Sequence, residues 1–132
     1  MTYSDNIRKY KQNELALSSP EEAYIKMFDF AVSNLKRAAT SLEEKDDKGF
    51  CNSIGAAYKM WGILVDAFGA ITNTDDKKIK EFEVIYASIE RKIAQILKDK
   101  DYETLQIIIR TTESIEDMWL KLLENGGSFY GR

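Results

Sequence analysis

Apolar residues along this chain recur in alternating steps of four and three, four times over, and a polar break closes each run. The first run is Tyr24, Phe28, Ala31, Leu35, Ala38 and Leu42, and the second is Phe50, Ile54, Ala57, Trp61, Leu64, Phe68 and Ile71. The third is Ile79, Phe82, Tyr86, Ile89, Ile93 and Ile96, and the fourth is Leu105, Ile108, Thr112, Ile115, Trp119 and Leu122. A period near 3.6 places each set on one face of an α-helix. Ile107-Ile108-Ile109 would suit a strand by propensity alone, but its flanks keep the helical period. The pattern predicts helices over 19–45, 48–72, 75–98 and 101–124.

Local signals mark the ends of these helices. Ser19-Pro20-Glu21-Glu22 reads as an N-cap, a proline at the first helical position and a glutamate able to close a capping box. The run from Glu43 to Lys48, the turn Asn73-Thr74-Asp75-Asp76 and the stretch from Lys98 to Asp101 separate the segments. Asn125-Gly126-Gly127 supplies the glycines that follow a helix C-terminus. Connections this short between helices this long make neighbours antiparallel. The expected fold is therefore an all-α, antiparallel up-down-up-down four-helix bundle, a single domain over residues 1–132. Residues 1–17 carry scattered apolar side chains and are expected to form a short N-terminal arm or helix packing on the bundle, with residues 126–132 a flexible tail.

Gly55, Gly62 and Gly69 share one face of the second helix at seven-residue spacing. Each weakens a helix by ~1 kcal/mol relative to alanine. Two readings are open, tolerated flexibility or a seam at which another element approaches closely.

Composition removes more functions than it suggests. The 132 residues include 44% apolar residues, enough for one core, and a formal net charge of −3 without the basic excess that nucleic acid binding needs. No apolar run is long enough for a membrane span, the first residues lack the apolar core of a signal peptide, and a single cysteine, Cys51, excludes an internal disulfide. A cytoplasmic location is expected. Without histidine, the usual zinc sites, catalytic triads and Glu-x-x-His di-iron ligands cannot be built. The acidic pairs Glu81 with Glu83, and Glu113 with Glu116 and Asp117, lie among basic residues and are expected on a solvated face. No catalytic residue, metal or cofactor is assigned, and the chain is not expected to be an enzyme. Trp61 and Trp119 are expected as core anchors, and Cys51 as a small hydrophobe at the edge of the core.

The positive signal is surplus. Each helix carries a second apolar line beside the first: Ile25, Val32 and Ala39; Cys51, Tyr58 and Val65; Ile85 and Leu97; Ile109 and Leu123. Such lines either widen the core or form an exposed groove for a partner, a second copy or a segment of the same chain.

The ordered residues resemble a known family. Tyr10 with Asn13, then Leu17-Ser18-Ser19-Pro20-Glu21-Glu22 and Met27-Phe28-Asp29-Phe30-Ala31, look like the N-terminal signature of the flagellar secretion chaperone family, FliS. Ala56-Ala57, Leu64 to Phe68, Ile85-Tyr86 with Arg91 and Ile93, Asp101 and Trp119 continue the register, so the resemblance covers residues 5–123. Ala23, Lys26, Phe28 and Phe30 depart from it, standing where the family usually has leucine, an apolar residue, tyrosine and glycine. The resemblance implies a chaperone that holds the disordered C-terminal segment of flagellin before export, with the export apparatus as a second partner. No nucleic acid partner and a monomer or weak dimer are expected. The expected partner-binding residues are Tyr10, Ile25, Phe28, Val32, Tyr58, Val65, Ile85 and Tyr86. The alternative is a homo-oligomeric bundle with another client.

Overall fold

The computed structural model describes residues 20–72 and 77–125. Four helices account for nearly all of them: α1 Pro20–Glu43, α2 Asp47–Thr72, α3 Lys77–Asp99 and α4 Tyr102–Glu124. No strand occurs among the described residues. The expectations for residues 1–17, including Tyr10, for the Ser19 cap, for the turn at 73–76 and for the tail 126–132 lie outside them.

Two tight joints turn the chain at one end of the bundle. Between α1 and α2, Lys45 adopts a left-handed φ of 59°. The Lys45 amide donates to the Leu42 carbonyl at 3.2 Å and the Asp46 amide to the Ser41 carbonyl at 2.8 Å, the paired bonds of a Schellman motif. The Asp46 carboxylate then accepts from the Gly49 amide at 3.0 Å and so caps the start of α2. Between α3 and α4, Lys100 has φ 54° and its amide donates to the Ile96 carbonyl at 2.8 Å, the simpler single-bond form of the same ending. Asp101 is the N-cap of α4, accepting from the Thr104 amide at 3.1 Å and the Thr104 hydroxyl at 2.7 Å. These bonds hold the Asp101 carboxyl below its usual value. The joints are also tied to each other, since Lys100 Nζ lies 2.8 Å from Asp47 Oδ1 and the Tyr102 hydroxyl donates to Glu43.

The helices form a ring in chain order, with α1 against α2 and α4, and α3 against α2 and α4; α3 and α4 pack most sparsely. Pairs across the α1–α4 seam, Glu43 with Tyr102, Lys36 with Glu113 and Asp29 with Glu116, descend α1 as they ascend α4, so the two run antiparallel. The all-α up-down-up-down bundle is therefore the observed fold.

The predicted stripes meet inside the ring. Phe28, Leu35, Phe50, Ile54, Trp61, Leu64, Tyr86, Ile93 and Leu105 are fully enclosed. An aromatic group fills the middle: Tyr24, Phe28, Trp61, Phe68, Tyr86 and Trp119, mostly edge to face with centroids 5.3 to 6.3 Å apart. Such pairs add ~0.5 to 1.5 kcal/mol each beyond the area they bury. Among the described residues two polar ones are buried and bond on their own helices, Asn34 donating to the Phe30 carbonyl at 3.0 Å and Thr112 to the Ile108 carbonyl at 2.7 Å.

Candidate functional site

The second apolar lines divide by helix. On α1, Ile25, Val32 and Ala39 are buried, and on α4 Ile109 is buried with Leu123 packed against the core. These lines widen the core across the α1–α4 seam, on the flank of α1 that also bears Asp29 and Lys36. On α2 and α3 the lines stay in water: Tyr58 is 42% exposed, Ile85 45% and Leu97 41%, and Cys51 is exposed instead of sitting at the core edge. Val65 is partly buried against the core.

Of the residues expected to meet a partner, Phe28 and Tyr86 are therefore wholly enclosed and Ile25 and Val32 are buried, while Tyr58, Val65 and Ile85 reach the surface. Ile85 does not share a flank with the other two. It lies two turns along α3 from Lys92, which with Ile96, Asp101 and Thr104 lines the cleft toward α4. Tyr58 and Val65 lie instead on the flank of α2 that meets α3.

That α2–α3 flank carries the glycines, and the structure separates them. A Cβ added at Gly62 would lie 3.0 Å from Glu90 Oε2, so Gly62 is where a side chain of α3 crosses close over α2. At Gly55 and Gly69 no described residue comes within 4 Å of that position. Around Gly69 lies a groove of about 440 Å³, walled by Val65, Asp66 and Gly69 on one side and by Glu83, Val84 and Ala87 on the other. Val84 is 65% exposed at its rim. The glycines remove side chains from one wall, and alanine keeps the other low, so a backbone laid in the groove could approach both helices closely.

The other unusual chemistry lies in the α1–α4 seam. Glu116, expected on a solvated face, has Oε2 sealed from water and forms a carboxyl pair with Asp29. Burial, the hydrogen bond to Asp29 and the charges of Asp29 and Glu113 push its carboxyl up to about 8, against the opposing pull of Lys36. Glu116 therefore holds its proton to a higher pH than a free glutamate does. Lys36 Nζ, 3.1 Å from Glu113 Oε2, balances part of the remaining charge. Sequence reading missed this pair because Asp29 and Glu116 are far apart in the chain and each sits among charged neighbours. Deeper in the core, burial raises the hydroxyls of Tyr24 and Tyr86, the latter to about 12, so both stay protonated donors at any ordinary pH.

Among the described residues no three cysteine or acidic side chains gather as a metal would need, and no helix is long and apolar enough to cross a membrane. What the surface offers is an apolar groove, suited to holding a chain segment.

Compared with known families, the chain matches the model described as flagellar protein FliS over residues 3–126. No curated protein matches it.

Proposed function

Because the chain belongs to the flagellar protein FliS family, we propose that it is a cytoplasmic export chaperone that binds the disordered C-terminal segment of flagellin. By occupying that segment it prevents premature polymerisation and keeps the client competent for export. The observation that carries the reading is the apolar line of α2 left open beside α3, with Val65 lining a groove opposite Val84 and Ala87 next to Gly69 and with Tyr58 exposed two turns away on the same flank of α2. An exposed apolar groove between helices is a receptor for an amphipathic helix. Tyr58 and Val65 touch the client directly. Phe28 and Tyr86 act from beneath, by fixing the position of the helices that form the walls, and Ile85 extends the apolar surface on the far flank of α3.

The energetics suit a carrier that releases its load without nucleotide hydrolysis. Coupled folding of a disordered segment buries roughly 1,000 to 3,000 Å². At ~25 cal/mol per Å² of apolar area the gain is largely offset by ~1 to 2 kcal/mol for each backbone residue ordered. A modest net affinity follows.

Isothermal calorimetry of the full chain with the C-terminal segment of its own organism's flagellin tests the reading. Binding at 1:1 with a negative heat-capacity change is expected, and Val84→Asp, at the exposed rim of the groove, should weaken it at least about tenfold while the helical signal is unchanged. Absence of binding by the unmodified chain at micromolar concentration overturns the assignment.

A further inference from the structure

The groove between α2 and α3 is apolar at its floor but acidic at its walls. Asp66 lines it from α2 and Glu83 from α3, and one turn beyond its end the carboxylate of Glu90 lies over Gly62. Among the described residues no lysine or arginine lines it. None of these three carboxylates is in an ion pair among the described residues, whereas Lys36, Lys100 and Lys121 are all matched to acids elsewhere.

A segment that settles into this groove removes water from those carboxylates. Desolvating an acid without compensation is unfavourable, so a neutral or acidic occupant is penalised where a basic one is not. The spacing adds geometry. Glu83 and Glu90 are two turns apart on the same flank of α3, about 10.5 Å along the axis at 1.5 Å per residue. A helix lying in the groove, parallel or antiparallel to α3, meets both if its own charges are seven positions apart. The open positions at Gly55 and Gly69 leave room for its backbone to lie low.

We infer that the α2–α3 groove selects an amphipathic helix whose apolar face is flanked by lysine or arginine at positions i and i+7, matched to Glu83 and Glu90, with Asp66 on the opposite wall. This rests on the reading that the groove holds the client, and it adds which client helices are accepted. The carboxylates act here as discriminators: they admit basic flanks and reject acidic ones, which is how a shallow apolar groove avoids holding every exposed amphipathic segment.

Two synthetic helical peptides of about 25 residues test the inference on the full-length chain. They share one leucine and alanine face, and one carries lysine at i and i+7 of the flank where the other carries glutamate. Fluorescence anisotropy at low salt should show the lysine peptide binding at least about tenfold tighter, a preference that shrinks as salt is raised. The double variant Glu83→Lys, Glu90→Lys should reverse the preference. Circular dichroism should show its fold retained, because neither side chain is fully buried or ion-paired. Equal binding of the two peptides, binding of neither, or a preference unchanged in the double variant overturns the inference.

Flagellin separates this from the chaperone assignment. Its C-terminal segment should bind the variant Glu83→Gln, Glu90→Gln about tenfold more weakly than the unmodified chain, at roughly threefold per carboxylate. Unchanged affinity overturns the charge selection and leaves the assignment standing. Flagellin that fails to bind a chain which still discriminates the peptides overturns the assignment and leaves the selection standing.

Discussion

The indole N–H of Trp119 donates to the hydroxyl of Tyr86 at 2.7 Å in the interior of the bundle, joining α4 to α3 where those helices otherwise pack most sparsely. The Tyr24 hydroxyl interacts with Tyr86 from α1, so one phenol connects three helices. Tyr86→Phe leaves the buried indole without its acceptor and should destabilise the fold by about 1 to 3 kcal/mol. Trp119→Phe, Tyr86→Phe together should lose less than the sum of the two single changes, because the second removes a bond already broken. Urea denaturation of the four proteins reads both.

The Asp29–Glu116 pair makes stability depend on pH in an unusual direction. Glu116 has a carboxyl pKa near 8 in the folded chain against 4.5 as its ordinary value. The folded state therefore binds more protons than the unfolded state between these limits. Its contribution is fully present below pH 4.5 and is lost as pH rises through 8. Thermal denaturation should show midpoints falling between pH 5 and pH 8, and Glu116→Gln, which cannot ionise, should flatten that fall.

Lys45 stands at the left-handed position that ends α1, where a β-carbon is unfavourable, and it makes no side-chain bond. Lys45→Gly should stabilise the chain by about 1 kcal/mol. Lys100→Gly relieves the same strain but also removes the ion pair with Asp47, so it should gain less. Chemical denaturation of both variants checks the order.

Gly55 and Gly69 have open space where a methyl would go. Alanine at either should raise stability by up to ~1 kcal/mol through helix propensity. Gly69→Ala also places a methyl in the groove and should weaken flagellin binding, so stability and affinity should move in opposite directions. Denaturation and calorimetry on the same samples test the trade.

The helices and the central stripes were legible because burial on one face imposes a period, and Trp61, Tyr86 and Leu105 fall where that period puts them. The groove was only half legible. Ile25 and Tyr58 look alike in sequence, each one step beside a stripe, and whether such a residue is covered depends on which side chains the next helix sets over it. The glycines show the same limit, since identical heptad positions hold a close crossing at Gly62 and open space at Gly55 and Gly69. Proximity between helices is a property of the assembled ring, and no local pattern encodes it.

The order of the ring also bears on how the chain finds its fold. The joints of three residues between α1 and α2 and two between α3 and α4 bring their pairs of helices together at little entropic cost, and the α2–α3 contact follows between neighbours in sequence. Only the α1–α4 seam must bring together partners separated by most of the chain, Asp29 and Glu116 among them. That seam has the highest contact order in the molecule. Substitutions there should act on the rate of folding as well as on its equilibrium, so the ring closes last at the seam where Asp29 meets Glu116.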